Sequence, residues 1–315
     1  MDIGFLLWLQ GLREIAPELV NQFFLLVSQV GGSSILFLVP ALLYWCLDKR
    51  TGTLVILGAT MGSVVNQLVK NTVCCYRPWV RDASVRPSQA ALPDATGYSF
   101  PSGHTQMTAN VVGATGWYYR RRRPILLVAT ILWVLLMAFS RNYLGVHTPQ
   151  DVLVALVESV LVIAFVDKLI AWVERRDGRD SVVLVASVVG TVAFIAYVTL
   201  RTYPTDYDTA GTLVVDPYLM QIDCFKSIGI FAGAIVGWYL ERRFLRFEVR
   251  PHEAGWKRMA LRLLVGLVVV GGLHLAPRLA SALIADARWF EFLKNSLTGV
   301  AALYLAPLVF TKLNL

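Results

Sequence analysis

The sequence predicts an all-α fold: a polytopic membrane bundle of about nine transmembrane helices with an N-terminal interfacial helix. Three observations lead there. Hydrophobic residues make up 56% of the 315 positions and charged residues only 16%, where a soluble domain carries about 25% charged. Mean hydropathy is +0.58. The apolar residues gather into runs close to the roughly 17 to 25 that a helical bilayer crossing needs. So little charge cannot clothe a water-soluble globule, and the same figures exclude disorder, a coiled coil and a secreted disulfide scaffold. The formal charge of +8 sits in loops between apolar runs, a pattern of membrane orientation. The bilayer is therefore an expected partner and nucleic acid is not.

Residues 1–32 form the N-terminal segment. Phe5, Trp8, Leu9, Leu12, Leu19, Phe23, Phe24 and Val27 recur at roughly helical spacing, interrupted by Arg13, Glu14, Glu18, Asn21 and Gln22. This predicts an amphipathic helix lying in the interface rather than an extra short span, ended by Gly31-Gly32. Residues 1–12 carry Asp2 and no lysine or arginine, so no signal peptide is expected. The spans follow at 33–47, 51–70, 104–119, 124–140, 149–172, 181–200, 217–240, 259–276 and 295–312. Residues 33–173 are expected to be the membrane core, and 174–315 the C-terminal helices of the same membrane domain. These last spans shape a lipid entrance or mediate a homodimer. The four cysteines, Cys46, Cys74, Cys75 and Cys224, fall in no ligand spacing and read as packing residues.

Alternation of nine spans gathers Lys49, Arg50, Arg120 to Arg123, Arg175, Arg176, Arg179, Arg242, Arg243, Arg246, Arg250, Lys257 and Arg258 on one side. The positive-inside rule makes that side cytoplasmic. Loops 71–103, 141–148, 201–216 and 277–294 then face away from the cytosol, and the unusual residues lie there. The outward side is the periplasm or exterior if the membrane is a bacterial inner membrane, and the lumen if it is endoplasmic reticulum. Arg81, Arg86 and Arg201 add positive charge outside, to draw in an anionic headgroup or to bind anionic lipid. Trp79 and Tyr98 read as members of an interfacial aromatic belt. Asp223 and Lys226 lie within a span, where charges are usually paired, and read as a structural pair between spans.

Three patterns stand at the outer span ends in order: Lys70 to Arg77-Pro78, Pro101-Ser102-Gly103-His104, and Ser140-Arg141 to His147 and Asp151. Lys70, Arg77 and Arg141 are three permanent cations, and arginine's planar fork suits phosphate oxygens bidentately. Ser102 and Gly103 precede a helix, where free N–H groups favour an anion; Ser102 adds a hydroxyl and Gly103 permits close approach. Thr148-Pro149 opens a helix that brings Asp151 within reach of His147. A carboxylate on one imidazole nitrogen fixes the tautomer and leaves the other free to attack phosphorus. His104, from another helix end, is the natural general acid. Against this stand plainer readings: snorkelling basic residues, a capping box of Thr148 and Asp151, and satisfied interface histidines. Glu158, two turns after Asp151, is expected to point inward.

Written as K-x6-RP, PSGH and SR-x5-H-x3-D, these patterns resemble the signature motifs of the type 2 phosphatidic acid phosphatase superfamily, with no departure at a signature position. The three in order leave chance little room. The resemblance implies a lipid phosphate phosphatase with a phosphohistidine on His147, charge support from Asp151, and leaving-group protonation by His104, which then serves as base for water. Phosphate would be held by Lys70, Arg77, Ser102, Gly103 and Arg141. It implies neither a metal nor another cofactor, and a membrane lipid phosphate as substrate. The span pattern is also similar to glucose-6-phosphatase and sphingosine-1-phosphate phosphatases, so a water-soluble phosphate is the alternative substrate. A silent lipid-binding or transport member is the alternative of another class.

Overall fold

The computed structural model describes residues 2–32, 34–249, 251–275 and 284–315. Ser33, Arg250 and the opening of the expected outer loop 277–294 lie outside the described residues. Within them there is no strand, only an isolated antiparallel bridge between Tyr207 and Leu213. The helices in order are α1 Asp2–Ile15, α2 Glu18–Gly32, α3 Leu38–Leu47 and α4 Lys49–Val73. Then come α5 (103–119), α6 Pro124–Tyr143, α7 Pro149–Glu174 and α8 Arg179–Leu200. Last are α9 Pro217–Leu240, α10 Pro251–Leu275 and α11 Ala287–Lys312.

Six of these have the length and composition to cross a membrane: α4, α6, α8, α9, α10 and α11. The expected spans 33–47, 104–119 and 149–172 take other forms. The first contains a 3-10 turn at Ser34–Phe37 leading into the short apolar helix α3, which is about 15 Å long and too short to cross unaided. The second, α5, is interrupted by a π turn at Ala109–Gly113. The third is the 26-residue α7, which carries Asp151, Glu158, Asp167 and Lys168 along its length. The chain is an all-helical membrane protein.

The chain divides into two compact units, one of residues 1–36, 65–163 and 202–220, the other of 37–64, 164–201 and 221–315. In the first, the N-terminal segment is two helices rather than one, because Pro17 denies a continuing helix its N–H. Helix α2 packs against α5 and α6 and ends at Gly32 as expected. Arg81 and Arg86 pair with Asp2 and Glu14 of α1, both at 2.7 Å. Tyr98 is not on a belt but fully buried, in a cluster with Cys74, Tyr203, Val215 and Met220.

In the second unit α9 and α11 approach closely. Gly229 and Gly233 face the backbone carbonyls of Phe292 and Ser296 with no room for a Cβ, and Gly299 faces Ala234. Small residues four apart permit such contact between helices. The buried Glu241 takes Lys49 at 2.6 Å. Asp223 and Lys226 pair with each other at 3.0 Å, three residues apart on α9 and about two-fifths exposed. The pair therefore lies within one helix, not between spans.

Candidate active site

All eight candidate residues fall in the first unit, at the C-terminal ends of α4 and α6, the N-terminal ends of α5 and α7, and the loops joining them. Six are buried: Lys70, Arg77, Ser102, Arg141, His147 and Asp151. The structure brings the three motifs together. Ser102 donates its backbone N–H to the Asp151 carbonyl at 3.0 Å, and Arg77 Nη1 donates to His147 Nε2 at 3.0 Å. The charges of Arg141, Arg77 and Lys70 all act on His104, and those of Arg77 and Arg141 act on His147.

The His147 contacts fix its protonation. A guanidinium can only donate, so Nε2 beside Arg77 is the acceptor nitrogen and the ring proton sits on Nδ1. Nδ1 lies 3.2 Å from Asp151 Oδ2. That carboxylate oxygen also accepts from Ser99 Oγ at 2.5 Å and from the Thr148 backbone N–H at 2.8 Å. Asp151 N–H in turn reaches Thr148 Oγ1 at 3.4 Å. The capping box is thus present, and the same carboxylate orients the imidazole; the two roles coexist. The His147 carbonyl is held by Asn142 Nδ2 at 2.8 Å.

The three cations are spent differently. Lys70 Nζ donates to the carbonyls of Tyr98 and Pro101 at 2.9 and 3.1 Å. Arg77 donates to those of Thr96, Gly97 and Val146 at 2.7, 3.1 and 3.0 Å. Both therefore hold the loop that carries Ser99 and Ser102. Arg141, fully buried, gives Nη1 to Ser28 Oγ, while its Nε and Nη2 have no partner among the described residues. These two atoms bear the parallel N–H bonds of one guanidinium edge, the fork that fits two oxygens of a phosphate. Buried donors left without acceptors are costly, and an oxyanion satisfies both. His104 Nε2 is likewise buried and unpartnered.

Two expectations change in detail. The Ser102 N–H is committed to Asp151, so it does not serve an anion; the Ser102 hydroxyl accepts from Thr105 Oγ1 at 3.0 Å and keeps its own proton to donate. A Cβ on Gly103 would lie 3.8 Å from Asn66 Oδ1 and meet nothing closer, so protein packing does not demand glycine there. Glu158 is half-buried with Oε2 unpartnered, and Lys70 acts on it electrostatically. Sequence reasoning missed Ser99, Asn142 and Ser28. Ser99 is three residues before Ser102, and a serine so near the motif was a usable signal; nothing in the sequence links Ser28 to Arg141.

Burial, and then the charge of Arg77, hold the His147 imidazolium well below the usual histidine range, against the opposing pull of Asp151. Folded protein then binds fewer protons than unfolded protein between the lowered value and about 6.5, so stability rises with pH through that window and is lost progressively as pH falls through it. Melting temperature followed from about pH 7.5 to about pH 5 is expected to fall less for His147→Asn than for the wild type. Equal slopes would remove His147 as the source.

Comparison with known proteins agrees with this geometry. Residues 51–176, which include all three motifs, match the PAP2 superfamily, and residues 225–315 match the transmembrane extension of PAP2 superfamily phosphatases. Phosphatidylglycerophosphatase B of Escherichia coli (strain K12) is 34% identical over 82 residues, 26% of this chain and 31% of that protein. Phosphatidylglycerophosphatase B of Bacillus subtilis (strain 168) is 27% identical over 146 residues, covering 42% and 67%. Undecaprenyl-diphosphatase of Sulfolobus acidocaldarius is 28% identical over 142 residues, covering 42% and 63%. The chain spans about a third of the length of the first of these relatives. No solved structure matches. With the three motifs brought together among buried residues and both segments matched, the chain carries a PAP2 superfamily domain followed by a PAP2 superfamily phosphatase transmembrane extension.

Proposed function

We propose that the protein is an integral membrane phosphatase that hydrolyses a lipid phosphate monoester or pyrophosphate through a phosphohistidine on His147. Its site opens on the non-cytoplasmic side of the membrane, opposite the basic helix ends at Lys49-Arg50, Arg120 to Arg123 and Arg175-Arg176, the periplasmic face of an inner membrane if the cell is bacterial. The observation that carries this reading is the unprotonated Nε2 of a buried, carboxylate-oriented imidazole in the same pocket as a guanidinium fork with no acceptor. The names of the relatives, phosphatidylglycerophosphatase and undecaprenyl-diphosphatase, support a phosphate carried on a lipid.

In this mechanism Arg141 takes two phosphoryl oxygens with Nε and Nη2, and Lys70 and Arg77 add positive charge around the group. Arg77 releases Nε2 as the phosphate arrives. Nε2 then attacks phosphorus, the bond from phosphorus to the leaving oxygen breaks, and His104 gives that oxygen a proton. Asp151 balances the charge that grows on the imidazole. In the second half His104 takes a proton from water, the water oxygen bonds phosphorus, and the P–N bond breaks to release phosphate and restore His147. Three side-chain cations supply the charge here, so turnover is expected to persist in the presence of a chelator.

Vanadate, a trigonal-bipyramidal mimic of phosphorus under attack, is expected to inhibit phosphate release well below millimolar levels. Insensitivity at about 1 mM would count against the pocket, since analogues of this kind bind at least about 10²-fold tighter than substrates. Phosphate release from a long-chain lipid phosphate, compared in detergent with its headgroup-only counterpart, tests the substrate class. The long-chain compound is expected to give the higher kcat/KM; equal values would move the assignment to a water-soluble phosphate.

A further inference from the structure

Resting on the phosphatase reading, we propose that α2 forms one wall of the active site, with Ser28 a positioning residue that aims the Arg141 fork and Gly32 the clearance for the His104 ring. Neither residue lies in a motif, and both are more than a hundred or seventy positions, respectively, from the side chains they serve. The argument begins with the guanidinium. Its plane offers two N–H bonds on the Nε–Nη2 edge and further ones around Nη1. Ser28, 2% exposed, accepts from Nη1. Fixing that corner sets the rotation of the plane, and the edge left unpartnered is the one with Nε and Nη2. A guanidinium freed from Ser28 could turn an end-on face to the phosphate, or fold back towards the backbone.

The glycines beside Ser28 explain how α2 comes so near. A Cβ on Gly31 would collide with Met137 and stand 2.9 Å from Thr108 Oγ1. A Cβ on Gly32 would collide with His104 Nε2 and stand 3.1 Å from its Cδ2. Both are ordinary helical or helix-end positions without a positive φ, so it is space and not backbone conformation that asks for glycine. Alanine at 32 must rotate the ring that carries the leaving-group proton. The two contacts thus divide the work: Ser28 acts through Arg141 on phosphate, and Gly32 acts through His104 on proton transfer.

The test is phosphate release by the full-length protein in detergent, with a long-chain lipid phosphate, beside the melting shift caused by orthovanadate. Ser28→Ala is expected to lower kcat/KM about tenfold or more, the scale of a mis-aimed group, and to reduce the vanadate-induced rise in melting temperature. Ser28→Thr, which keeps a hydroxyl, is expected to stay within about threefold of wild type. Gly32→Ala is expected to depress kcat with little change in KM. If Ser28→Ala melts far below wild type, the threonine variant decides: activity retained there supports the hydroxyl's role, and a loss equal to that of alanine overturns it in favour of packing. Ser28→Ala with wild-type kcat/KM and vanadate shift also overturns the proposal. The two readings fail separately. Wild type no faster than His147→Ala would end the phosphatase reading, whereas an active wild type matched by Ser28→Ala would end only this one.

Discussion

His147→Ala is expected to reduce kcat by about 10⁴-fold, since removal of a covalent nucleophile typically leaves only the catalysis that binding and charge supply. Conversion should continue to depend on the enzyme's presence only at that residue level, with KM changed far less, because Arg141 and its neighbours still bind the phosphate. The variant must remain folded for the result to carry meaning. The substitution leaves Arg77 Nη1 with the Val146 carbonyl, and Asp151 keeps the Ser99 hydroxyl and the Thr148 N–H. No buried charge is stranded, so the cost is that of a small cavity and the two hydrogen bonds lost with Arg77 and Asp151, about 1–3 kcal/mol. A quench during turnover should capture label on His147 in the wild type. Phosphate on nitrogen is lost in acid and survives alkali, which separates it from a serine ester on Ser99 or Ser102. Label at either serine, or full turnover by His147→Ala, would replace the proposed nucleophile.

The membrane class was legible in composition, because few charges over long apolar runs have one solvent that suits them. The site was legible in its motifs: the His147–Asp151 spacing is a helix turn, and one turn suffices to join imidazole to carboxylate. What the sequence hid is tertiary in origin. The use of Lys70 and Arg77 to clasp the carbonyls of Thr96, Gly97, Tyr98 and Pro101 depends on how a loop folds, and no residue type announces it. The same holds for the Ser102 N–H, lost to Asp151. Tyr98 looked like a belt residue because a lone tyrosine near a span end usually is one; its burial comes from loop 202–216 closing over it. The break in the N-terminal segment was legible after all, in Pro17. So was the glycine spacing at 229, 233 and 237, which marks the face that α9 turns to α11.

Arg77 and Arg141 are expected to respond to the same substitution with opposite signs in stability. Both are buried arginines of the signature motifs, and charge reversal of either should abolish turnover. Their surroundings differ. Arg77 has its donors filled by three carbonyls and His147 Nε2, so Arg77→Met strands those acceptors in a buried site. Removing one partner of such a network costs roughly 3–5 kcal/mol, and the melting temperature should fall. Arg141 has one filled donor position and an unpartnered fork, a guanidinium kept out of water without full compensation. Replacing a poorly compensated buried ion by an apolar chain of similar volume is often neutral or stabilising by about 1–4 kcal/mol. Arg141→Met is therefore expected to melt at or above wild type in phosphate-free buffer, while kcat/KM falls at least about 10²-fold. Adding orthovanadate should reverse the order, stabilising the wild type by ligand linkage and leaving the variant unmoved. A lower melting temperature for Arg141→Met without ligand would mean that Arg141 serves the fold rather than the phosphate, and the pocket's anion would have to be held by other groups.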